Sequence, residues 1–178
     1  AQWTATAAGC CILGAQSEGP YITHATRGQI VDMGVTDMTN MGAAMAPAAF
    51  DTLRAVFRDT GTTPKDYDLI VTGDLGAVGS DILTELFRRE GTALDNYTDC
   101  GLLLYDRKKQ DMHAGGSGCG CSAAVLNGYL LEGMRQGRWR RLLFAPTGAL
   151  LSPTSSFQGE SIPGICHAVV FSRTKEDA

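Results

Sequence analysis

Residues 113–123, HAGGSGCGCSA, gather four glycines, two thiols, two hydroxyls and one imidazole directly ahead of a helix-like run, AVLNGYLLEGMRQG. Several chemistries suit such a set. A nucleophilic thiol at Cys119 or Cys121 needs a general base, and His24, His113 and His167 are the only histidines in the chain. Nothing in the spacing places one beside a thiol, and a small thiol at a helix start reads as a small hydrophobe in a crowded place. Structural zinc uses cysteine pairs at wider spacing with further ligands beyond them, which Cys119, Cys121 and His113 do not supply. No metal site is expected. A P-loop ends in Gly-Lys-Ser or Gly-Lys-Thr, and the dinucleotide fingerprint opens a helix with GxGxxG; GGSGCGCSA has neither, which disfavours a nucleotide.

The glycines carry more information. Gly115, Gly116 and Gly118 let the backbone approach a neighbour closely, and the amides of a helix start form a partial positive charge suited to a carboxylate or phosphate. Ser117 would cap that helix or donate to the ligand. A steric explanation is equally compatible with the spacing: the glycines are needed because the helix is sandwiched between two sheets. The cluster Arg135, Arg138, Arg140 and Arg141, with Trp139 among them, falls at a helix C-terminus, where cations offset the macrodipole and face water. His167, inside the apolar run ICHAVVF, reads as a hydrogen-bonded core histidine.

These residues need elements to hold them. Residues 1–15 and 20–31 are rich in β-branched and aromatic types and read as two strands joined by a turn at QSEG. Ala46, Ala49, Phe50, Leu53, Val56 and Phe57 recur at helical spacing over 45–60, with Pro47 near the start and Gly61 as the stop. YDLIVTGD is a short buried strand ending in turn residues, followed by a helix with Ile82, Leu83, Leu86 and Phe87 on one face and Gly91 beyond it. GLLLYD, residues 101–106, reads as another buried strand. A helix over 117–136 places Ala123, Leu126, Leu130 and Gly133 on one stripe and closes at Gly137. RLLFAP and CHAVVFS finish as strands. The order ββ-α-β-α-β-α-ββ is that of an α/β unit, a mixed five-stranded sheet packed with helices.

With 178 residues and a 44% hydrophobic fraction, the chain has enough apolar matter for one ordinary domain. Fifteen Lys and Arg against nineteen Asp and Glu give a net charge of -4, and no basic stripe exists for a nucleic-acid partner. No apolar run approaches the roughly 18 residues of a membrane span, and the N-terminus lacks the regions of a secretory signal. The six cysteines, Cys10, Cys11, Cys100, Cys119, Cys121 and Cys166, are therefore read as free thiols of an intracellular protein. A start at Ala1, in an apparent strand without Met, is expected to reflect a longer protein.

Four blocks, NMGAAMAPAAFDTL, YDLIVTGDLGAVG, HAGGSGCGCSA and FAPTGALLSPTSSFQGESIPGICHAVVF, together resemble the stage V sporulation protein AD family of spore-forming Firmicutes, in order and over essentially the whole chain. The resemblance implies a thiolase-like fold built of two related halves. Residues 1–178 are expected to form a single half-domain, the C-terminal one. Condensing enzymes of fatty-acid synthesis share that fold. Their strand equivalent to DLIVTGD ends in a catalytic His, where this chain has Gly73 followed by Asp74. Their catalytic Asn precedes the last long helix, where this chain has GGSG with Ser117. Their nucleophilic Cys lies in the N-terminal half, and neither Cys119 nor Cys121 takes its place.

The resemblance thus implies a pseudoenzyme with no catalytic residues of its own. It implies binding of dipicolinate (pyridine-2,6-dicarboxylate), free or as its Ca2+ complex, during uptake into the developing spore. The partners implied are membrane proteins of the same sporulation operon, with the chain peripheral to the inner spore membrane, and either a homodimer or pairing with the N-terminal half. Ligand-binding positions expected on this basis are Gly73, Asp74, His113, Gly115, Gly116, Ser117 and Gly118. No cofactor is expected, Ca2+ entering only with dipicolinate, where it would relieve the repulsion of Asp74. Two other functions stay open: an acyltransferase or thiolase using His113 or His167 as an unorthodox base, and a scaffold that binds no small molecule.

Overall fold

The computed structural model describes residues 1–15 and 18–175. In chain order they form β1 (Trp3–Thr4), β2 (Tyr21–Thr26), β3 (Ile30–Val31), α1 (Met41–Thr60), β4 (Leu69–Thr72), α2 (Gly76–Arg89), β5 (Tyr97–Asp99) and α3 (Cys100–Leu104). There follow β6 (Gly116–Ser117), α4 (Cys119–Val125), a π-helical turn (Leu126–Leu130), α5 (Leu131–Arg135), β7 (Arg141–Ala145), β8 (Thr147–Ala149), α6 (Pro153–Phe157), β9 (Gly164–Cys166) and β10 (Ala168–Ser172). The central sheet has five strands in the order β2-β10-β7-β4-β5, with β4 parallel to both β5 and β7 and β10 antiparallel to its two neighbours. This is the mixed five-stranded sheet that the sequence predicts.

Strand alternation divides the core in two. Ile70, Leu143, Ala145 and Val170 point to the side covered by α1 and α2, where Leu53, Val56, Leu83 and Phe87 meet them. Val71, Leu142, Phe144 and Phe171 point to the other side, against Cys121, Val125, Leu130, Leu131 and Met134 of the segmented helix. Both faces are covered, so the central strands read as continuous apolar runs. Each fully buried Leu or Phe contributes about 1.5–3 kcal/mol.

Helix α1 starts at Met41 because the Asn40 side chain accepts the Ala43 amide at 3.3 Å, earlier than the apolar spacing suggests. It ends where expected, at Gly61, left-handed with φ 65°. Its face is notched by glycine: a Cβ on Gly42 would stand 2.5 Å from the Leu75 carbonyl and 2.8 Å from the Gly79 amide, so α1 and α2 cross backbone to backbone.

Several expectations are corrected. Only Trp3–Thr4 of residues 1–15 forms a strand, pairing in parallel with β6. Beyond it the chain lies over a helix, Ala7 opposite Gly120 and Gly9 opposite the Ala123 carbonyl. A helix has already used its backbone groups internally and offers no ladder. The predicted strand over 20–31 divides into β2 and β3 in separate sheets, bending at Gly28, where a Cβ would meet the Cys166 carbonyl at 1.8 Å. GLLLYD is not a strand: the strand is β5, and Asp99 turns the chain into α3 by accepting the Gly101 amide. The helix over 117–136 begins at Cys119, after Gly118, and is interrupted by the π turn. CHAVVFS breaks at His167, which is exposed between β9 and β10 and not in the core; its Nδ1 accepts the Gly28 amide at 3.1 Å. Among the described residues no helix is long and apolar enough to cross a membrane.

The α1–α2 contact gives a direct test. Gly42→Ala is expected to lower unfolding free energy by about 1–3 kcal/mol through overpacking. Gly128→Ala, where an added Cβ meets nothing within 4 Å, should leave stability unchanged or raise it by up to about 1 kcal/mol. Urea denaturation of both variants measures the contrast; equal effects would contradict the backbone crossing.

Candidate functional site

The C-terminal ends of parallel strands β4, β5 and β7 meet at one edge of the sheet, the place where open α/β sheets form their sites. Strand β4 runs out through Gly73 and Asp74 into α2. Gly73 is buried with little room for a side chain, an added Cβ lying 3.1 Å from Pro146 Cα and from the Thr147 amide. The Asp74 carboxylate takes the Gly118 N–H on Oδ2 at 2.9 Å and the Thr147 hydroxyl on Oδ1 at 3.0 Å. Burial pushes its pKa up, against the lowering effect of those two bonds.

Beside it lies a carboxylate that sequence reasoning missed. Asp99 is fully buried. Its Oδ2 accepts the Thr72 hydroxyl at 2.7 Å and the Leu75 amide at 2.9 Å, and its Oδ1 accepts the amides of Gly76 at 3.0 Å and Gly101 at 2.9 Å. Burial nevertheless outweighs all four bonds and pushes its pKa up to about 6. Tyr97 completes the network, its hydroxyl 2.7 Å from that of Thr72 and 3.1 Å from that of Ser80. An Asp before small residues at a strand end is a helix-cap signal. Reading 101–106 as a strand concealed it.

The glycine stretch closes over this edge. A Cβ on Gly101 would lie 2.2 Å from the Gly116 carbonyl, and one on Gly115, at φ 100°, 2.6 Å from the Gly101 carbonyl. One on Gly76, at φ 62°, would strike the Ala114 carbonyl at 2.5 Å. The Ala77 amide donates to that carbonyl at 2.8 Å, and the Gln2 side chain donates to the carbonyls of Asp74 at 2.8 Å and Gly116 at 3.0 Å. Two loops, 73–77 and 113–118, are thereby locked backbone to backbone.

Of the residues the sequence singles out, the structure gathers Gly73, Asp74, Gly115, Gly116, Ser117 and Gly118 at this edge. Ser117 lies in β6 rather than capping a helix, and its carbonyl accepts the Ala5 amide at 2.9 Å. Gly118 is the residue before α4, with φ 89°, and its N–H is held by the protein's own Asp74. His113 is exposed, in a left-handed conformation with φ 39°, its carbonyl accepting from Arg107 at 3.3 Å. A hollow of about 210 Å³ adjoins the edge, bounded among others by Gln2, Asp37, Asn40, Leu75 and Ala114.

The thiols divide. Cys121 is buried as a small hydrophobe, whereas Cys119 is exposed, contrary to the crowded setting expected for it. Burial, with the charge of Asp99 adding to it, pushes Cys121 up to about 12, and burial pushes Cys166 up to about 12. Cys100 is raised in the same way. These three stay protonated at neutral pH and are poor nucleophiles. Among the described residues no three His, Cys, Asp or Glu side chains gather as a metal cluster.

Comparison with known proteins places this geometry. A family model described as stage V sporulation protein AD matches residues 1–172. The chain is 45% identical over 171 residues to stage V sporulation protein AD of Bacillus subtilis (strain 168), covering 96% of this chain and 50% of the relative. It therefore spans about half the length of the curated relative that it matches. The tetronic acid condensing enzyme AbyA1 superposes with a TM-score of 0.50 at 11% identity, covering 90% of this chain and 49% of that one. 3-oxoacyl-[acyl-carrier-protein] synthase III from Aquifex aeolicus VF5 gives a TM-score of 0.47 at 13% identity, over 88% of this chain and 46% of that one. The fold is thiolase-like.

Asp99 supplies a pH test. Its folded pKa of about 6 exceeds the ordinary 3.8, so the folded state holds the proton more tightly than the unfolded one. Its contribution is full below about pH 4 and declines by about 3 kcal/mol as pH rises through 6. Asp99→Asn removes that slope and is destabilising, since one amide oxygen cannot accept four bonds. The stability gap between wild type and Asp99→Asn should narrow between pH 4 and 6.5 in urea titrations. A gap that widens with pH would contradict the assignment.

Proposed function

The chain belongs to the stage V sporulation protein AD family, and from that premise we propose that it is a non-catalytic binding protein for dipicolinate, free or as its Ca2+ complex, in the uptake system of the developing spore. One observation carries this reading. At the edge where the resemblance to condensing enzymes puts a His and an Asn, the chain presents Gly73–Asp74 and Ser117, and Asp74 is engaged with Gly118 and Thr147. A pocket without a proton acceptor and an oxyanion donor binds without turning over, because acyl transfer needs both in the transition state.

The ligand is a small dianion with an aromatic ring. The Ser117 hydroxyl at this edge suits a carboxylate, and Asp74, which already holds the Gly118 amide, opposes one. Ca2+, a cation that takes oxygen ligands, relieves that opposition when it lies between the carboxylates. In this reading the chain works at the inner spore membrane alongside membrane proteins of the same operon.

The thiolase-like fold keeps a second reading in view, acyl transfer by a thiol with His113 or His167 as an unorthodox base. Two measurements separate the readings. Calorimetric titration of this chain, and of the longer Bacillus subtilis relative, with dipicolinate is expected to give saturable binding, tighter with Ca2+ at neutral pH and lost in Ser117→Trp. Incubation of the relative with acyl-CoA is expected to leave every cysteine unmodified by mass spectrometry. Absence of binding heat from both proteins, or an acylated thiol, would overturn the proposal.

A further inference from the structure

We infer that Asp99 is a positioning residue for the candidate ligand site, its single carboxylate setting the 73–77 loop and the 113–118 loop in the placement that brings Asp74 to the Gly118 amide. The inference rests on the proposed binding role of those loops and assigns their register to a group that touches no ligand.

Asp99 reaches both loops. It accepts the Leu75 and Gly76 amides directly, fixing the turn that carries Asp74. It reaches the other loop through Gly101, whose amide it holds and whose Cα faces the Gly116 carbonyl too closely for any side chain. The Ala77 to Ala114 bond at 2.8 Å is then formed between two segments that Asp99 has placed. No other side chain among the described residues bonds to both Gly76 and Gly101. Gln2 also bridges the loops, but through their carbonyls and from the segment whose strand β1 pairs with β6.

The charge on Asp99 strengthens this hold. Bonds from amides to a carboxylate are roughly twice as strong as those to a neutral acceptor. No cation pairs with Asp99 among the described residues. The titratable groups around it are Asp74 on the 73–77 loop, Tyr97 on β5, Cys100 on α3 and Cys121 on α4, all anionic or neutral. A proton arriving on Oδ2 is accommodated by turning the Thr72 hydroxyl: Oδ2–H donates to Thr72, Thr72 to Tyr97, and Tyr97 to Ser80. The loops keep their acceptors in both protonation states.

Amide hydrogen exchange on the whole chain tests positioning without any ligand. In Asp99→Asn at neutral pH, the Ala77 amide, which Asp99 does not touch, should exchange about tenfold faster relative to Leu143 at the sheet centre. Thr72→Val, which removes one donor and keeps the volume, should give a smaller change in the same direction and covers the event that Asp99→Asn does not fold. Equal acceleration at Ala77 and Leu143 in both variants would reduce Asp99 to general stabilisation and overturn the inference. Dipicolinate calorimetry forms the second arm: affinity about tenfold weaker in Asp99→Asn supports the inference, and unchanged affinity overturns it. Should wild type give no binding heat, the binding proposal falls while the exchange ratio still decides the role of Asp99.

Discussion

One buried carboxylate, Asp99, holds the functional edge of this molecule together. It lies at the C-terminal end of β5 with no counter-cation among the described residues and with four hydrogen bonds from Thr72, Leu75, Gly76 and Gly101. Burying an anion this way costs stability unless each lone pair is used, and here the donors come from two separate helix starts. The penalty is local, and the gain is a defined geometry. The ends of β4 and β5, the turn into α2 and the first turn of α3 all take their positions from one side chain.

Glycine does the complementary work. Gly76, Gly101 and Gly115 face carbonyls at distances no Cβ tolerates, so the loops approach until main chain meets main chain. The two explanations open for the HAGGSGCGCSA stretch, a ligand cradle and close packing, are therefore not exclusive. Most of its glycines are accounted for by contacts within the chain. Gly118 uses its amide on Asp74, so an incoming carboxylate meets an anion already in place. Any binding of a dianion at this edge must answer that charge, which is why Ca2+ enters the functional reading.

Family membership and the thiolase-like fold agree with the geometry, since the loops that meet here belong to the edge on which α/β folds of this kind do their chemistry. What the fold supplies is a rigid platform of parallel strands. What a family makes of it depends on the side chains at the strand ends. The buried thiols, pushed well above neutral pH by burial and neighbouring carboxylates, belong to the core under this edge rather than to its chemistry.

The sequence by itself determined the class and much of the order. The periodicity of Leu53, Val56, Leu83 and Phe87 marks helices, and the runs at 69–72 and 141–145 mark buried strands, because those patterns follow from which face meets the core. The glycines of 115–118 were legible as a stretch that lets backbones approach closely, whereas Asp74 was reached only through the family resemblance. Asp99 was not legible, since its importance lies in contacts with Leu75, Gly76 and Gly101 that no spacing reveals. The run over residues 1–15 shows the same limit from the other side: its composition favours a strand, but a strand needs a partner ladder, and beyond Trp3–Thr4 the chain lies with Ala7 and Gly9 against a helix. Local patterns report the face a residue shows; only the tertiary structure decides which distant backbone lies against it.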